Sequence, residues 1–378
     1  MIYLTYADQP SGVYSSQVCD VVNFLNDNLH ADIRLVAFVS LRNFFETKKR
    51  IQSEVKDAII LPMIPKANYW KCSLPLLLII CLLTRTKSIL ARGVLACNLA
   101  LLCRKAGFIK KAGYDGRGAI AAEWSEYDVV PYPNLKITIH HLEKNAALNP
   151  DFRISVSEKL VEYWKERFSY QDDKHVVIPC LVNSSFKFQQ LSKEEKTAIR
   201  QKHGIHPDAF VLVYSGSVSG WQSFGLVKQT LRPLLKESEN AALLFLSPPD
   251  KHIEEMQKEL PERIFRAWVK HDEVTPLLSA CDYGVLIRES SVTNRVASPT
   301  KFAEYLGAGL PVIISAGIGD YADFVRNNRC GIVLEEGQSI SAAALTRFPA
   351  EEMASLVQRF FTKESQVESY RKVLSALR

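Results

Sequence analysis

The sequence predicts an α/β protein of two nucleotide-binding-like domains, and three observations carry that prediction. At 378 residues the chain exceeds one compact core of ordinary size. Apolar runs bounded by turn residues alternate with amphipathic stretches along the whole length, the pattern of βαβ units around parallel sheets. Finally, the run Val176–Asn183 ends a strand at Pro179, and a polar Lys/Glu/Gln segment follows it to about His206, which suits an interdomain connection.

In chain order, the first domain (1–179) is expected to carry strands at Ile2–Tyr6, Ile33–Val39, Ala58–Leu61, Ser88–Ala91, Phe108–Tyr114, Ile137–Ile139 and Arg153–Val156. The second (180–349) restarts with Phe210–Tyr214, then Ala242–Leu246, Ile264–Val269, Tyr283–Arg288, Val312–Ser315 and Gly331–Leu334. The closing segment, 350–378, has helical periodicity and no strand signal, and is expected to pack back on the first domain.

Composition, 47% hydrophobic and 23% charged, excludes a disordered or low-complexity chain. The eight cysteines are scattered and none has zinc spacing, so they read as buried thiols in a reducing compartment, and no metal site is expected. The start Met1-Ile2-Tyr3-Leu4 lacks an export signal, and a cytoplasmic location is expected. Net charge is +6, concentrated in the stretch 42–111, which holds fourteen Lys/Arg against Glu46, Glu54 and Asp57. Inside it, Leu74–Leu83 falls short of the roughly 20 apolar residues of a spanning helix. With Tyr69, Trp70 and Lys71 before it and Arg85 and Lys87 after it, this segment is either a core helix with a solvated basic rim or one lying on an anionic membrane surface. A nucleic-acid role is not expected, because the basic stretch lacks aromatic interleaving and a reading motif.

Two loops bear phosphate-binding chemistry. Val211–Tyr214 leads into Ser215-Gly216-Ser217-Val218-Ser219-Gly220, with a helix beginning near Phe224: strand, glycine loop, helix. Backbone amides there could approach an anion, or the loop is only a tight turn. The second constellation is stronger. Arg288 ends a strand and Ser298-Pro299-Thr300-Lys301-Phe302-Ala303-Glu304 opens a helix, with Ser298 as the N-cap and Pro299 at the first helical position. That places Lys301 in the first turn, where the helix dipole disfavours a cation unless an anion is bound. A diphosphate would accept free amides, the Thr300 hydroxyl, the Lys301 ammonium and a fork from Arg288. Glu304 shares that helix face one turn further in, where a carboxylate can accept hydrogen bonds from ribose hydroxyls.

The segment from Arg288 to Ser315, with Ser298-Pro299-x-Lys301-x-x-Glu304-Tyr305 and Gly309-Leu310-Pro311-Val312-Ile313, resembles glycosyltransferase family 4, the retaining GT-B enzymes of bacterial surface polysaccharide synthesis. The flanks Ala280–Val285 and Cys330–Leu334, and Val177–Cys180 at the boundary, resemble the same family. The resemblance implies two Rossmann-like domains facing each other across a cleft, the first taking the acceptor and the second a nucleotide-diphosphate sugar. It implies catalytic roles for Arg288, Lys301 and Glu304, with donor contacts from Gly12, Gly216, Ser217, Ser298, Pro299 and Thr300, and Trp268, Val269 and Lys270 beside the base. The chain departs from the family where Val296 replaces the first glutamate and where Ser217 and Gln222 replace a phosphate-gripping pair. A glycine-flanked Asp115/Arg117 pair at a strand end, and His140 and Glu143 at a helix start, are candidate acceptor contacts, the former reading equally as a salt-bridged turn.

The expected reaction is metal-independent transfer with retention, to a saccharide or lipid-linked acceptor, without a cofactor besides the nucleotide sugar. Two other readings stay open: a non-hydrolysing nucleotide-sugar epimerase, and a non-catalytic nucleotide-sugar-binding subunit.

Overall fold

The computed structural model describes residues 1–63, 67–130, 132–217 and 220–378. They form two compact units: Met1–Ser184 together with Thr362–Arg378, and Ser185–Phe361. The chain thus leaves the first unit after Ser184, five residues past Pro179, and returns at Thr362.

Each unit is built on one parallel sheet. In the first, β1 (Ile2–Tyr6), β2 (Arg34–Ser40), β3 (Ile59–Met63), β4 (Ser88–Arg92), β5 (Lys111–Gly116), β6 (Phe152–Ser155) and β7 (His175–Val177) run in the order β3-β2-β1-β4-β5-β6-β7. In the second, β8 (Phe210–Ser215), β9 (Ala241–Leu246), β10 (Ile264–Ala267), β11 (Tyr283–Leu286), β12 (Val312–Ser315) and β13 (Gly331–Leu334) run in the order β10-β9-β8-β11-β12-β13. The central strands are largely apolar because helices cover both faces of a parallel sheet. β1 and β9 are buried at every position.

One expected strand is absent. Ile137–Ile139 lies inside a helix, Pro133–Leu148, with Pro133 in its first turn. The alternation Lys136-Ile137-Thr138-Ile139 imitates a strand, but burial follows helical spacing: Leu135, Ile139, Leu142 and Ala146 are buried, while Ile137 is 78% exposed. The β-branched pair is therefore split between core and solvent.

The closing segment divides between the units. Helix Ala350–Phe360 remains with the second unit, where Phe360 and Phe361 join Phe302, Tyr321 and Phe324 in an aromatic cluster with ring centroids 4.1–5.8 Å apart along its main contacts. Helix Val367–Leu377 joins the first, setting Tyr370 against Phe24 at 6.3 Å. Leu377 fills the space above Gly113, where an added Cβ would meet its Cδ1 at 2.7 Å.

Both chain crossings are anchored on the helical segment that follows β1. Gln17 donates to the Leu181 carbonyl (2.6 Å) and accepts from the Leu181 N–H (3.3 Å). Asp20 accepts from the Ser184 N–H (2.7 Å) and pairs with the fully buried Lys363 ammonium (2.5 Å), which also donates to the Val182 carbonyl (2.8 Å). Burial lowers the Lys363 pKa and Asp20 opposes it.

Candidate functional site

In the second sheet the strand order reverses between the neighbours β8 and β11. Open α/β sheets take ligands beyond the carboxyl ends of the strands at such a reversal. Three segments leave from there: Gly216 and Ser217 after β8, Arg288 two residues past β11, and the turn after β12. Val218 and Ser219 of the glycine loop lie outside the described residues.

Arg288 is nearly buried; its N–H donates to the Ser315 hydroxyl at the end of β12 (2.9 Å), and its guanidinium lies 3.4 Å from the Asn294 amide oxygen. The Tyr214 hydroxyl donates to the Ser217 carbonyl (2.9 Å), holding the glycine loop, and the Gly216 N–H donates to Leu246 (3.2 Å). Helix Phe224–Glu237 begins where expected, after a left-handed Ser223 whose hydroxyl accepts from the Glu289 N–H at 3.0 Å.

The helix of the strongest constellation spans Thr300–Gly307, and its cap differs from expectation. Pro299, extended at ψ 124, is the N-cap, so no side chain caps the helix. The Ser298 hydroxyl instead meets that of Tyr321 at 2.7 Å. Because Pro299 offers no hydroxyl, the Phe302 N–H turns to the Pro299 carbonyl (3.1 Å), and the amides of Thr300 and Lys301 have no side-chain cap. Lys301 sits in this first turn and pairs with Glu304 at 2.6 Å, both side chains about three-quarters buried at 28% exposure. The carboxylate thus holds the cation that the dipole disfavours.

Sequence reasoning missed the residues that make this edge rigid. Asn294, fully buried, donates to the carbonyls of Glu289 (3.1 Å) and Trp221 (3.4 Å) while facing Arg288. The Tyr305 hydroxyl accepts from the Ser215 N–H (2.7 Å) and ties the glycine loop to the helix start; its ring lies over Gly284, where an added Cβ would come within 2.3 Å of it. Gly319, at φ +46, lets the turn after β12 pass the Ala297 carbonyl, which a Cβ would meet at 2.0 Å. Ser291-x-x-Asn294 was legible as a capping pattern, because Ser291 accepts from the Asn294 N–H (3.1 Å); the role of Tyr305 left no local signal. Val296, where the family resemblance would place a first glutamate, is fully buried.

Trp268, Val269 and Lys270 follow β10, two strands from β8. The indole of Trp268 is exposed, and the Lys270 N–H reaches Glu273 at 3.3 Å as the next helix opens.

The first unit corrects the expected acceptor contacts. Gly12 opens a helix behind Ser11, whose hydroxyl accepts from Tyr14 N–H (3.2 Å), at the carboxyl end of β1. Asp115 is fully buried and is the hub of an internal network: the Tyr3 hydroxyl donates to it, and Arg117 and Arg92 pair with it at 2.9 and 3.6 Å. The salt-bridged reading of that turn holds, and Asp115 has no surface to offer a ligand. His140 stands mid-helix, not at a helix start, with its ring against Phe168 at 5.3 Å. Glu143, fully buried, accepts from the N–H groups of Ile120 (2.7 Å) and Ala121 (3.2 Å) and from the Tyr163 hydroxyl (3.3 Å), so it caps the helix Ile120–Glu126.

Desolvation raises the Glu143 pKa to about 7, more than its hydrogen bonds lower it. An acid with a raised folded pKa supports the fold fully below its unfolded value and loses that contribution as pH rises toward the folded one. Stability from this group should therefore fall between about pH 4.5 and 7, by roughly 3 kcal/mol at 1.36 kcal/mol per unit. Urea unfolding at pH 5 and pH 8 checks it: Glu143→Gln should flatten the pH dependence, and an equal slope in both proteins would contradict the assignment.

At the carboxyl ends of β1, β2, β3 and β4 lies a pocket of about 1000 Å³, lined among others by Asp8, Arg42, Glu46, Arg92, Glu123 and Trp124. Sequence reasoning singled out none of these as contacts, although Glu123-Trp124 stood in view.

The apolar segment of the basic stretch is a helix, Leu74–Leu83, that buries only Leu77 and Cys81. Ile79, Leu82 and Leu83 are 51%, 63% and 76% exposed, so it is not a core helix. Among the described residues no helix is long and apolar enough to cross a membrane.

Residues 232–374 match the model of the glucosyltransferase 3-like C-terminal domain. Over 184 residues the chain is 23% identical to lipopolysaccharide glucosyltransferase WaaG of Escherichia coli K12, a match spanning about half the length of each protein, 48% in both cases. Among solved structures, a glycosyltransferase from Rickettsia africae superposes with a TM-score of 0.73 at 15% identity, covering 100% of this chain and 98% of that one. Anabaena Alr3699/HepE in complex with UDP superposes with a TM-score of 0.72 at 13% identity, covering 100% of both.

Proposed function

We propose that this chain, which has the GT-B fold and resembles a glucosyltransferase 3-like domain and WaaG in sequence, is a glycosyltransferase of the family 4 type that transfers a sugar, with retention, from a nucleotide-diphosphate sugar to a saccharide or lipid-linked acceptor. The observation that carries the reading is the uncapped helix start at Thr300, with Lys301 in its first turn and Arg288 at the neighbouring strand end. A diphosphate there meets free amides and two cations at once. On departure of the nucleoside diphosphate, those groups neutralise the charge that develops, an electrostatic contribution already in place before reaction. Two fixed cations supply the neutralisation that a divalent ion supplies elsewhere, which supports a metal-independent reaction. Glu304, exchanging Lys301 for the ribose hydroxyls, orients the nucleoside, and the exposed Trp268 offers its face to the base.

Calorimetry with UDP, GDP, CMP and their sugars, in the presence of a chelator, tests this. One nucleoside diphosphate should bind, and UDP is the first candidate because Anabaena HepE has been solved with it. Absence of binding by all of them would overturn the reading.

A lipid-linked acceptor would be met at an anionic membrane surface, inside which the reaction would run on the cytoplasmic face. The exposed leucines of Leu74–Leu83 and the surrounding lysines and arginines have the chemistry of an interfacial helix. Co-sedimentation with phosphatidylserine-containing vesicles should weaken at least fivefold in Ile79→Glu/Leu83→Glu and fall with added salt. Equal sedimentation of variant and wild type would remove this part of the proposal.

A further inference from the structure

At the end of the second sheet opposite the donor edge, a pocket of about 370 Å³ opens against the amino ends of β8, β11 and β12. Its walls come from the stretches 193–200, 207–210, 279–282, 308–311 and 346–350, all within the second unit, and every position in them is described. The helix Lys193–Lys202 turns one face to this space, because Lys193, Lys196, Thr197 and Arg200 recur at the spacing of a single helix face. Arg200 is the fixed member. Nearly buried, its guanidinium donates to the carbonyls of Ala280 (2.7 Å), Pro207 and Ala209 (2.8 Å each) and to the Asp282 carboxylate (2.9 Å), which also accepts from the Val211 N–H (2.7 Å). A guanidinium carries five N–H groups, so one on Nη2 is left without an acceptor among the described residues. The Ser279 hydroxyl, on the same lining and 4% exposed, has no partner either.

The charges decide the ligand class. The lining holds four cations, Lys193, Lys196, Arg200 and Arg347, against two carboxylates, Asp208 and Asp282, an excess of two. Arg200 already engages Asp282, whereas Lys193, Lys196 and Arg347 form no ion pair among the described residues. The helix Ala350–Phe360 begins in the same lining behind Pro349, with no side-chain cap, so its positive end adds to that excess; its first-turn acids, Glu351 and Glu352, stand outside the lining. A phosphomonoester carries about two negative charges near neutral pH and three strong acceptor oxygens. Phe210 and Phe348, both partly buried, offer apolar surface to the organic part. The volume lies at the lower end of small-molecule sites and suits one ring with its phosphate.

We propose that this pocket binds a small phosphomonoester of the size of a pentose or hexose phosphate, its phosphate held by Arg200, Lys196 and Arg347. The site is independent of the donor chemistry, since Arg288 and Lys301 lie beyond the opposite ends of the same strands. Calorimetry of the full chain with glucose 6-phosphate, ribose 5-phosphate, inorganic phosphate and glucose tests it, beside Lys196→Ala/Arg347→Ala and, separately, Lys301→Ala. A sugar phosphate should bind wild type and weaken at least tenfold in the double variant, whose melting temperature and UDP affinity stay unchanged. Binding should persist in Lys301→Ala and in the presence of saturating UDP. No binding of either sugar phosphate, or equal binding by the double variant, would overturn the proposal. Loss in Lys301→Ala or displacement by UDP would move the phosphate to the donor edge and overturn it as well. Inorganic phosphate bound as tightly as the sugar phosphates would replace the phosphomonoester by the free ion. A sugar phosphate bound through Lys196 and Arg347, in a protein that binds no nucleotide, would sustain this site and sink the donor reading.

Discussion

Asp115→Ala is expected to destabilise the first unit by about 3–5 kcal/mol, the cost of removing one partner from a buried ionic network. The carboxylate is fully buried and answers the Tyr3 hydroxyl, Arg117 at 2.9 Å and Arg92 at 3.6 Å, whose side chains are themselves 14% and 11% exposed. Without it two guanidiniums and a phenol lose their common acceptor in a region that water reaches poorly. Asp115→Asn keeps an acceptor for Tyr3 but not the charge, and should fall between wild type and alanine. Chemical denaturation of the full chain measures both. A loss under 1 kcal/mol in Asp115→Ala would mean that the arginines find water, and would return Asp115 to the set of ligand contacts.

The second large effect concerns the donor. Charge-assisted hydrogen bonds contribute about 1.5–3 kcal/mol, so Lys301→Ala and Arg288→Ala should each weaken nucleoside diphosphate binding by roughly 10- to 150-fold. Glu304 is the informative control, because it pairs with Lys301 at 2.6 Å. Glu304→Gln weakens the hold on the ammonium by removing the charge, and leaves a single neutral amide oxygen where a carboxylate would face the two ribose hydroxyls. UDP should then bind less tightly while inorganic pyrophosphate, which has no ribose, should bind more tightly. Calorimetry that finds both ligands weakened alike would deny Glu304 its ribose role, and unchanged UDP affinity in Lys301→Ala and Arg288→Ala would sink the diphosphate site.

Much of this architecture was legible because its cause is local. Ala241–Leu246 is an unbroken apolar run and Ile2–Tyr6 is interrupted only by Thr5, as strands of a parallel sheet buried on both faces require. The donor edge was legible because Lys301 offends a local rule, the helix dipole, and such misfits mark function. What stayed hidden depends on distant partners. Nothing near Asp115 announces that Tyr3 and Arg92 converge on it, and nothing near Glu143 announces that it caps a helix twenty-odd residues earlier. Ser298 failed as a cap for a subtler reason: the extended Pro299 already ends the preceding chain, so the hydroxyl turned to Tyr321 instead. Asp8 was passed over because one acid after one strand carries no pattern; only the pocket around it does.

The path of the chain has a consequence for biogenesis. Residues 185–361 complete the second unit as soon as they are synthesised, whereas the first unit must wait for residues 362–378, made after all of them. Until then Gly113 lacks the Leu377 cover, Phe24 lacks Tyr370, and Asp20 lacks its buried lysine. The half that leaves the ribosome first is thus the half that finishes last. At roughly 5–20 residues per second, its open sheet stands exposed for some ten seconds or more. A nascent-chain protease assay should find the second unit protected before the first, which reverses the usual vectorial order.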